Sequence, residues 1–447
     1  MKVFLRIVVL YLIIITVPYE KIQAQNAKTS YKFIFGTQKA LKGYIQVKPT
    51  VVYSKEQGYG FDFGSAVSVV DRKGKDQLTS GFCTSDKPFY FSVYLPEGNY
   101  KVKITMGDLK DSSVTTIKAE SRRLMLEKVV TAPGKFETRT FIVNVRIPEI
   151  AGTSDKVSLK SREIGKLDWD DKLTFEFNNK RPCINALEIS KADDVPTIYL
   201  AGNSTVVDQD DEPWASWGQM FPRFFKPEVA ISNQAESGLT LGSFLGSKRL
   251  QKIVSTLKSG DYLFIEFGHN DQKEKGPNDG AFKSYSERLK LFIAEVRKKG
   301  GIPVVVTPAN RRSFGDDGKI TNSLGDYPEA ARQMAKQENV ALIDLNSMTK
   351  LFYETLGPDK SKKAFVIYPA NTWPGQTKDF NDNTHFNGYG AYELAKCIIE
   401  GMRENKLDIT KYLVDGLPTF DPAHPDPVEA FSLPISPKSS VIKPDGN

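Results

Sequence analysis

Three histidines, His269, His385 and His424, occur in the 447 residues, so a site that moves protons through imidazole has few places to be. His385 follows Asp382 by three positions in Asp382-Asn383-Thr384-His385-Phe386. A carboxylate at that spacing can hold an imidazole in one tautomer, and the other ring nitrogen can then activate a hydroxyl. Ser204, in Gly202-Asn203-Ser204-Thr205, is a candidate for that hydroxyl. Acyl transfer also needs donors aimed at the oxyanion. The backbone N–H groups of Ser204 and Gly238 and the side-chain amide of Asn270 can supply them. His269 sits inside the Gly268-His269-Asn270-Asp271 block and reads as shaping that loop; His424 lies in a proline-rich tail. Asp379 competes with Asp382 as the orienting acid, and the spacing to His385 favours Asp382.

The Ser204, Gly238 and Asn270 blocks follow apolar runs of strand length, and the His385 block precedes the last helical pattern. The runs are Thr197 to Ala201, Val229 to Asn233, Tyr262 to Phe267, Ile302 to Thr307 and Val340 to Leu345. Helical patterns lie between them. The clearest is Leu289, Phe292, Ile293 and Val296, with Ser284 and Glu287 spaced as a capping box. Another is Ala391, Leu394, Ala395, Ile398, Ile399 and Met402. Strands alternating with helices predict a parallel sheet covered on both faces, with ligands beyond the carboxyl ends of the strands.

Before Lys191 the pattern differs. Phe89, Phe91, Val93 and Leu95 alternate, Pro96-Glu97-Gly98-Asn99 reads as a turn, and Tyr100, Val102, Ile104 and Met106 alternate again. That is a hairpin signal. Phe141, Val143, Val145 and Ile147 repeat it, as do Leu173, Phe175 and Phe177. Many short strands with frequent turns predict a β-sandwich.

Four blocks in this order, supplying Ser204, Gly238, Asn270 and His385, resemble the SGNH (GDSL-type) hydrolases over about residues 197–405. The runs Gly-x-Ser-Thr-Val, Gly-His-Asn-Asp and Asp-x-Thr-His-Phe are similar to the rhamnogalacturonan acetylesterase branch. The resemblance implies a three-layer α/β/α, flavodoxin-like domain, a serine esterase that deacetylates pectic polysaccharide through an acetyl-enzyme, and no metal or organic cofactor. The family usually has Asp where this chain has Asn203; Asn keeps an acceptor but loses the charge. Gly60-Phe61-Asp62-Phe63-Gly64 and Leu95-Pro96-Glu97-Gly98-Asn99-Tyr100 resemble galactose-binding-like jelly rolls, which imply a glycan-binding or bracing role. A deacetylase of xylan, or a glycan-binding protein with an inactive hydrolase domain, are the alternative readings.

The expected organisation is a leader at 1–24, a sandwich at 27–192, a hydrolase domain at 195–414 and a proline-rich tail at 415–447. Met1 to Ala24 has basic, apolar and small-residue regions in the order of a secretory signal, with no Cys after it for a lipid anchor. This predicts a secreted or periplasmic protein without a lasting membrane span. The formal charge of +7 falls to about +5 without that segment. There are no blocks of Lys and Arg, so nothing indicates nucleic acid; the partner to expect is an acetylated acidic plant glycan. Arg311 and Arg312 could meet a uronate carboxylate, and Trp373 could stack on a sugar ring; Trp217 reads as core. Cys83, Cys183 and Cys397 read as buried thiols rather than a metal or redox set. Asp208, Asp210 and Glu212 imitate the start of a calcium loop, but Pro213 stands where its glycine belongs.

Overall fold

The computed structural model describes residues 28–36 and 41–445; the leader at Met1 to Ala24 lies outside the described residues. Among the described residues no helix is long and apolar enough to cross a membrane.

Residues 31–191 build two sheets. One runs Lys135–Val145, Gly98–Asp108, Ile184–Lys191, Tyr31–Phe35, Ile45–Val47, with Gly81–Thr84 and Ser68–Asp71 attached beside Ile184–Lys191. The other runs Tyr59–Asp62, Phe89–Tyr94, Lys172–Asn178, Ser113–Ala119, Arg123–Thr131. Alternate side chains of both sheets enter one core, where Phe33 and Phe91 meet edge-on with ring centroids 5.2 Å apart. The hairpin expected at Pro96 does not form. Phe89–Tyr94 and Gly98–Asp108 lie in different sheets, so Leu95 to Glu97 is a corner between them. Both strands point their apolar residues at the same core from opposite sides. Period two looks the same in that arrangement as in a hairpin.

The second half is a five-stranded parallel sheet in the order Ala230–Asn233, Thr197–Gly202, Tyr262–Glu266, Ile302–Val306, Ala341–Ile343. The first connection goes to one edge and the rest go the other way, so the strand order reverses beside Thr197–Gly202. Successive residues feed opposite cores. Ile198, Leu200, Phe264, Val304 and Val306 pack with helix Gly388–Glu404. Tyr199, Ala201, Leu263, Ile265 and Val305 pack with helix Ser286–Lys298. This is a three-layer α/β/α domain. Ser284 is not the cap of that helix: it sits in a wide turn at Ala281–Tyr285, and its hydroxyl bonds Asp279. Gly280, at φ +146°, turns the chain there before the helix starts at Ser286.

The halves are joined by buried charge. Arg123 of the sandwich lies 3.2 Å from both Asp168 and Asp208, and Arg249 lies 2.5 Å from Glu163, all nearly inaccessible to water. Buried ions persist only when paired in this way. The tail returns across the boundary. Lys118 Nζ donates to the carbonyl of Pro434 and the hydroxyl of Ser436, and Ser439 pairs with Glu212 as a parallel bridge. The three cysteines are buried and unpaired, and burial pushes the Cys83 thiol up to about 12.

Candidate active site

Strand Thr197–Gly202 ends at a tight turn. The Asn203 side-chain oxygen accepts from the Thr205 N–H (3.1 Å) and hydroxyl (3.0 Å), and its backbone carbonyl accepts from Val206 and Val207. Gly202 is required because a Cβ there would lie 2.4 Å from Val206. The turn delivers Ser204, whose Oγ lies 2.9 Å from His385 Nε2.

His385 ends strand Phe380–Phe386, which pairs antiparallel with Phe365–Tyr368. Its Nδ1 is 2.7 Å from Asp382 Oδ2. Asp382 Oδ1 accepts from the backbone N–H groups of Thr384 (2.9 Å) and His385 (3.0 Å). Burial alone would raise the Asp382 carboxyl, but the His385 hydrogen bond and charge and these two N–H groups hold it down at about 2. It is therefore a carboxylate at neutral pH and can only accept. That puts the imidazole proton on Nδ1 and leaves Nε2 to accept from the Ser204 hydroxyl.

Gly238 stands in the loop after the neighbouring strand at φ +76°, and Asn270 follows strand Tyr262–Glu266. Asn270 Nδ2 donates to Leu239 O (3.2 Å), tying these two loops together, and Glu236 N donates to Gly202 O (3.3 Å), tying them to the Ser204 turn. Asp271 clamps the same place, accepting from the N–H groups of Leu241 and Gly268. Neither Ser204 N–H nor Gly238 N–H donates to a described backbone group. His269 is buried, and burial, then the neighbouring Arg311 and His385, hold its imidazole well below the ordinary range. It is a neutral part of the loop's packing.

The two arginines brace loops. Arg311 donates to the carbonyls of Ser323 (3.2 Å) and His269 (3.3 Å). Arg312 donates to Asn383 Oδ1 (2.7 Å), Ser361 Oγ (3.0 Å) and Pro358 O. These bonds occupy much of the donor capacity that a uronate would use. Trp373 is half-buried and packs edge-on against Tyr368, 5.8 Å between centroids, while Trp217 is fully buried. Sequence reading missed Glu266. It is fully buried at the end of its strand and accepts from Thr205 Oγ1, Ala309 N–H and Trp217 Nε1. The signal was a lone acid closing the apolar run Tyr262-Leu263-Phe264-Ile265.

Residues 200–391 match the family model described as GDSL-like lipase/acylhydrolase. Rhamnogalacturonan acetylesterase RhgT of Bacillus subtilis is 42% identical to this chain over 219 residues, covering 48% of this chain and 94% of that protein. The chain belongs to the GDSL-like lipase/acylhydrolase family. It is a carboxylic ester hydrolase, and this family's fold accounts for the parallel sheet and for the loops that carry Ser204 and His385. Residues 31–145 match a second model, the galactose-binding-like domain of β-agarase/YXIM esterase-like proteins. Two further relatives are similar. The uncharacterized esterase YxiM of Bacillus subtilis is 26% identical over 86% of this chain and 93% of its own length. The rhamnogalacturonan acetylesterase of Emericella nidulans is 30% identical over 46% of this chain and 84% of its own.

Proposed function

We propose that this esterase removes acetyl groups from an acetylated pectic polysaccharide, rhamnogalacturonan, through an acetyl-enzyme on Ser204. The observation that carries the chemistry is the unbroken relay Ser204 Oγ–His385–Asp382 at 2.9 and 2.7 Å. The substrate class rests on the relatives named rhamnogalacturonan acetylesterase, one of them 42% identical over nearly its whole length.

In this reading Ser204 Oγ attacks the acetyl carbonyl carbon while its proton passes to His385 Nε2. Negative charge gathers on the carbonyl oxygen, facing the Ser204 and Gly238 N–H groups and the Asn270 amide. Each such donor is worth ~10²–10³ in rate. The intermediate collapses, the sugar oxygen leaves and takes the proton from His385. Water then attacks the acetyl-serine as His385 accepts its proton, and on collapse acetic acid departs while His385 returns the proton to Ser204 Oγ. Asp382 stabilises the imidazolium in both halves.

Acetate release from acetylated rhamnogalacturonan and acetylated xylan, read with wild type and Ser204→Ala, tests this. Release from rhamnogalacturonan that vanishes in the variant is expected. Release from xylan alone would overturn the substrate, and equal release by both proteins would overturn the nucleophile.

A further inference from the structure

Two hollows lie end to end along the boundary between the sandwich and the hydrolase domain. They share Gly165, Lys166, Asp210 and Lys438 as walls. The inner one, about 330 Å³, is framed by Trp214, Lys443 and Asp445. Lys443 Nζ is 3.5 Å from Asp382 Oδ2, and a Cβ on Gly238 would lie 2.9 Å from Asp445, so the tail residues that wall this hollow on one side lie against the relay and the oxyanion loop on the other. The outer one, about 400 Å³, is framed by Phe63 and Tyr90 of the sandwich. Both volumes are those of ordinary ligand clefts.

Phe63 is out of place as a structural residue. It is 57% exposed, and its backbone is left-handed at φ +51°, which aromatic residues rarely adopt. Yet the ring has fixed neighbours. The Phe63 N–H donates to Asp62 Oδ1 (2.8 Å), Lys172 Nζ sits 4.7 Å from the ring centre and 2.6 Å from Asp62, and Tyr90 meets the ring edge-on at 5.3 Å. Backbone strain kept at an exposed aromatic is a mark of binding sites. A pyranose ring offers an apolar C–H face with hydroxyls around its rim. Phe63 matches the face and the exposed Lys438 the rim, while Lys166 and Asp210, paired with each other at 2.6 Å, form the wall between the two hollows. Lys438 is mostly exposed, with Asp211 at 3.1 Å as its carboxylate neighbour.

We propose that this groove holds the polysaccharide chain that extends from the acetylated sugar, with Phe63 as the stacking platform of a distal subsite. The proposal rests on the glycan-esterase reading above. The sandwich then contributes directly to substrate choice, and the enzyme favours polymers over single sugars.

The test compares kcat/KM on p-nitrophenyl acetate with kcat/KM on acetylated rhamnogalacturonan for wild type, Phe63→Ala and Lys438→Ala. The polymer-to-small-ester ratio should fall about fivefold to tenfold in Phe63→Ala, the worth of one stacked ring, and less in Lys438→Ala. A ratio within twofold of wild type in both variants overturns the proposal. Retardation of Ser204→Ala and Ser204→Ala/Phe63→Ala in gels containing rhamnogalacturonan or xylan is the second arm. If wild type releases acetate from neither polymer, the glycan-esterase reading fails. Equal retardation of the two proteins in every polymer sinks the groove, whichever polymer is deacetylated.

Discussion

The Gln209 side-chain amide donates to the carbonyl oxygen of Ser204 at 3.0 Å, and Gln209 is itself held by the sandwich. Its carbonyl accepts from Arg122 (3.3 Å) and from Gln219 Nε2 (2.8 Å), and the same Gln219 nitrogen donates to Ser121 O (2.8 Å). Ser121 and Arg122 form the tip between strands Ser113–Ala119 and Arg123–Thr131, where Glu120 and Arg122 have positive φ. Ser121 Oγ also bonds Asp210 at 2.6 Å. The tip of a sandwich hairpin thus backs the turn that carries the nucleophile.

Arg122→Ala should therefore damage catalysis as well as stability. It removes two bonds to carbonyls and leaves Glu212, 2.6 Å away, without its guanidinium in a nearly buried position. Breaking such a pair costs about 3–5 kcal/mol. A displaced Ser204 turn should lower kcat on a small acetyl ester by about 10²-fold. Thermal melting and kcat on p-nitrophenyl acetate check this. A lower melting temperature with unchanged kcat would confine Arg122 to stability.

Asp382 ties acid stability to the relay. Its carboxyl is held at about 2 in the folded chain, against about 3.9 unfolded. A depressed folded value stabilises above the unfolded value and is lost as pH falls, here between about 4 and about 2. The sum is about 2–3 kcal/mol. Asp382→Asn should make the acid-side loss of unfolding free energy shallower than in wild type, the lowered carboxyls of Asp108 and Asp344 keeping the rest, and lower kcat by about 10³–10⁴. Denaturant melts at pH 2 to 5, with rates at neutral pH, decide it.

What could be read from the chain divides along a physical line. The strands of the parallel sheet were legible because each is a short apolar run bounded by turn residues; Ser204, Gly238 and Asn270 were legible because each follows such a strand, and His385 because Asp382 stands three residues before it. The corner at Leu95 to Glu97 was not legible, since alternation reports which face is buried and not which sheet holds it. Glu266, Gln209 and Arg122 act across elements far apart in the chain, and no local pattern encodes such contacts. The same holds for the tail: its prolines mark an extended segment, and no local pattern shows that Ser436, Lys438 and Lys443 reach the domain boundary and Asp382.

Asn203 stands where the family usually has Asp, and the turn explains why this works. Its oxygen is the part in use, taken up by the Thr205 N–H and hydroxyl, while its Nδ2 is buried without a partner. Asn203→Asp keeps the acceptor and should leave kcat within about threefold. Asn203→Ala strands the Thr205 N–H at about 1–3 kcal/mol, and should lower kcat about tenfold or more. Steady-state rates on a small acetyl ester separate them, and an inactive Asn203→Asp would show that the amide nitrogen matters.

Glu266 and Asn203 contest one proton. The Thr205 hydroxyl lies 3.0 Å from Glu266 Oε1 and 3.0 Å from Asn203 Oδ1, and it has a single hydrogen to give. Burial raises the Glu266 carboxyl to about 7, against the hydrogen bonds from Trp217, Thr205 and Ala309. Protonated Glu266 can donate to Thr205 Oγ1, which frees the Thr205 proton for Asn203 and satisfies all three groups. Ionised Glu266 takes that proton and loosens the Ser204 turn. A folded value above the unfolded ~4.3 means that stability falls as pH rises from about 4.3 to about 7 and is level beyond. The loss is about 3–4 kcal/mol. Glu266→Gln imitates the protonated form: its amide can donate to Thr205 and its oxygen can accept from Trp217. Burial raises the carboxyls of Asp170, Asp208 and Asp271 to about 7 as well. The Glu266→Gln variant should therefore keep kcat within about fivefold and decline less steeply than wild type rather than not at all, whereas Glu266→Leu should lose about 1–3 kcal/mol for each stranded donor. Denaturant melts from pH 4.5 to 8 are the measurement. A Glu266→Gln profile that runs parallel to wild type across that range would remove Glu266 as a contributor.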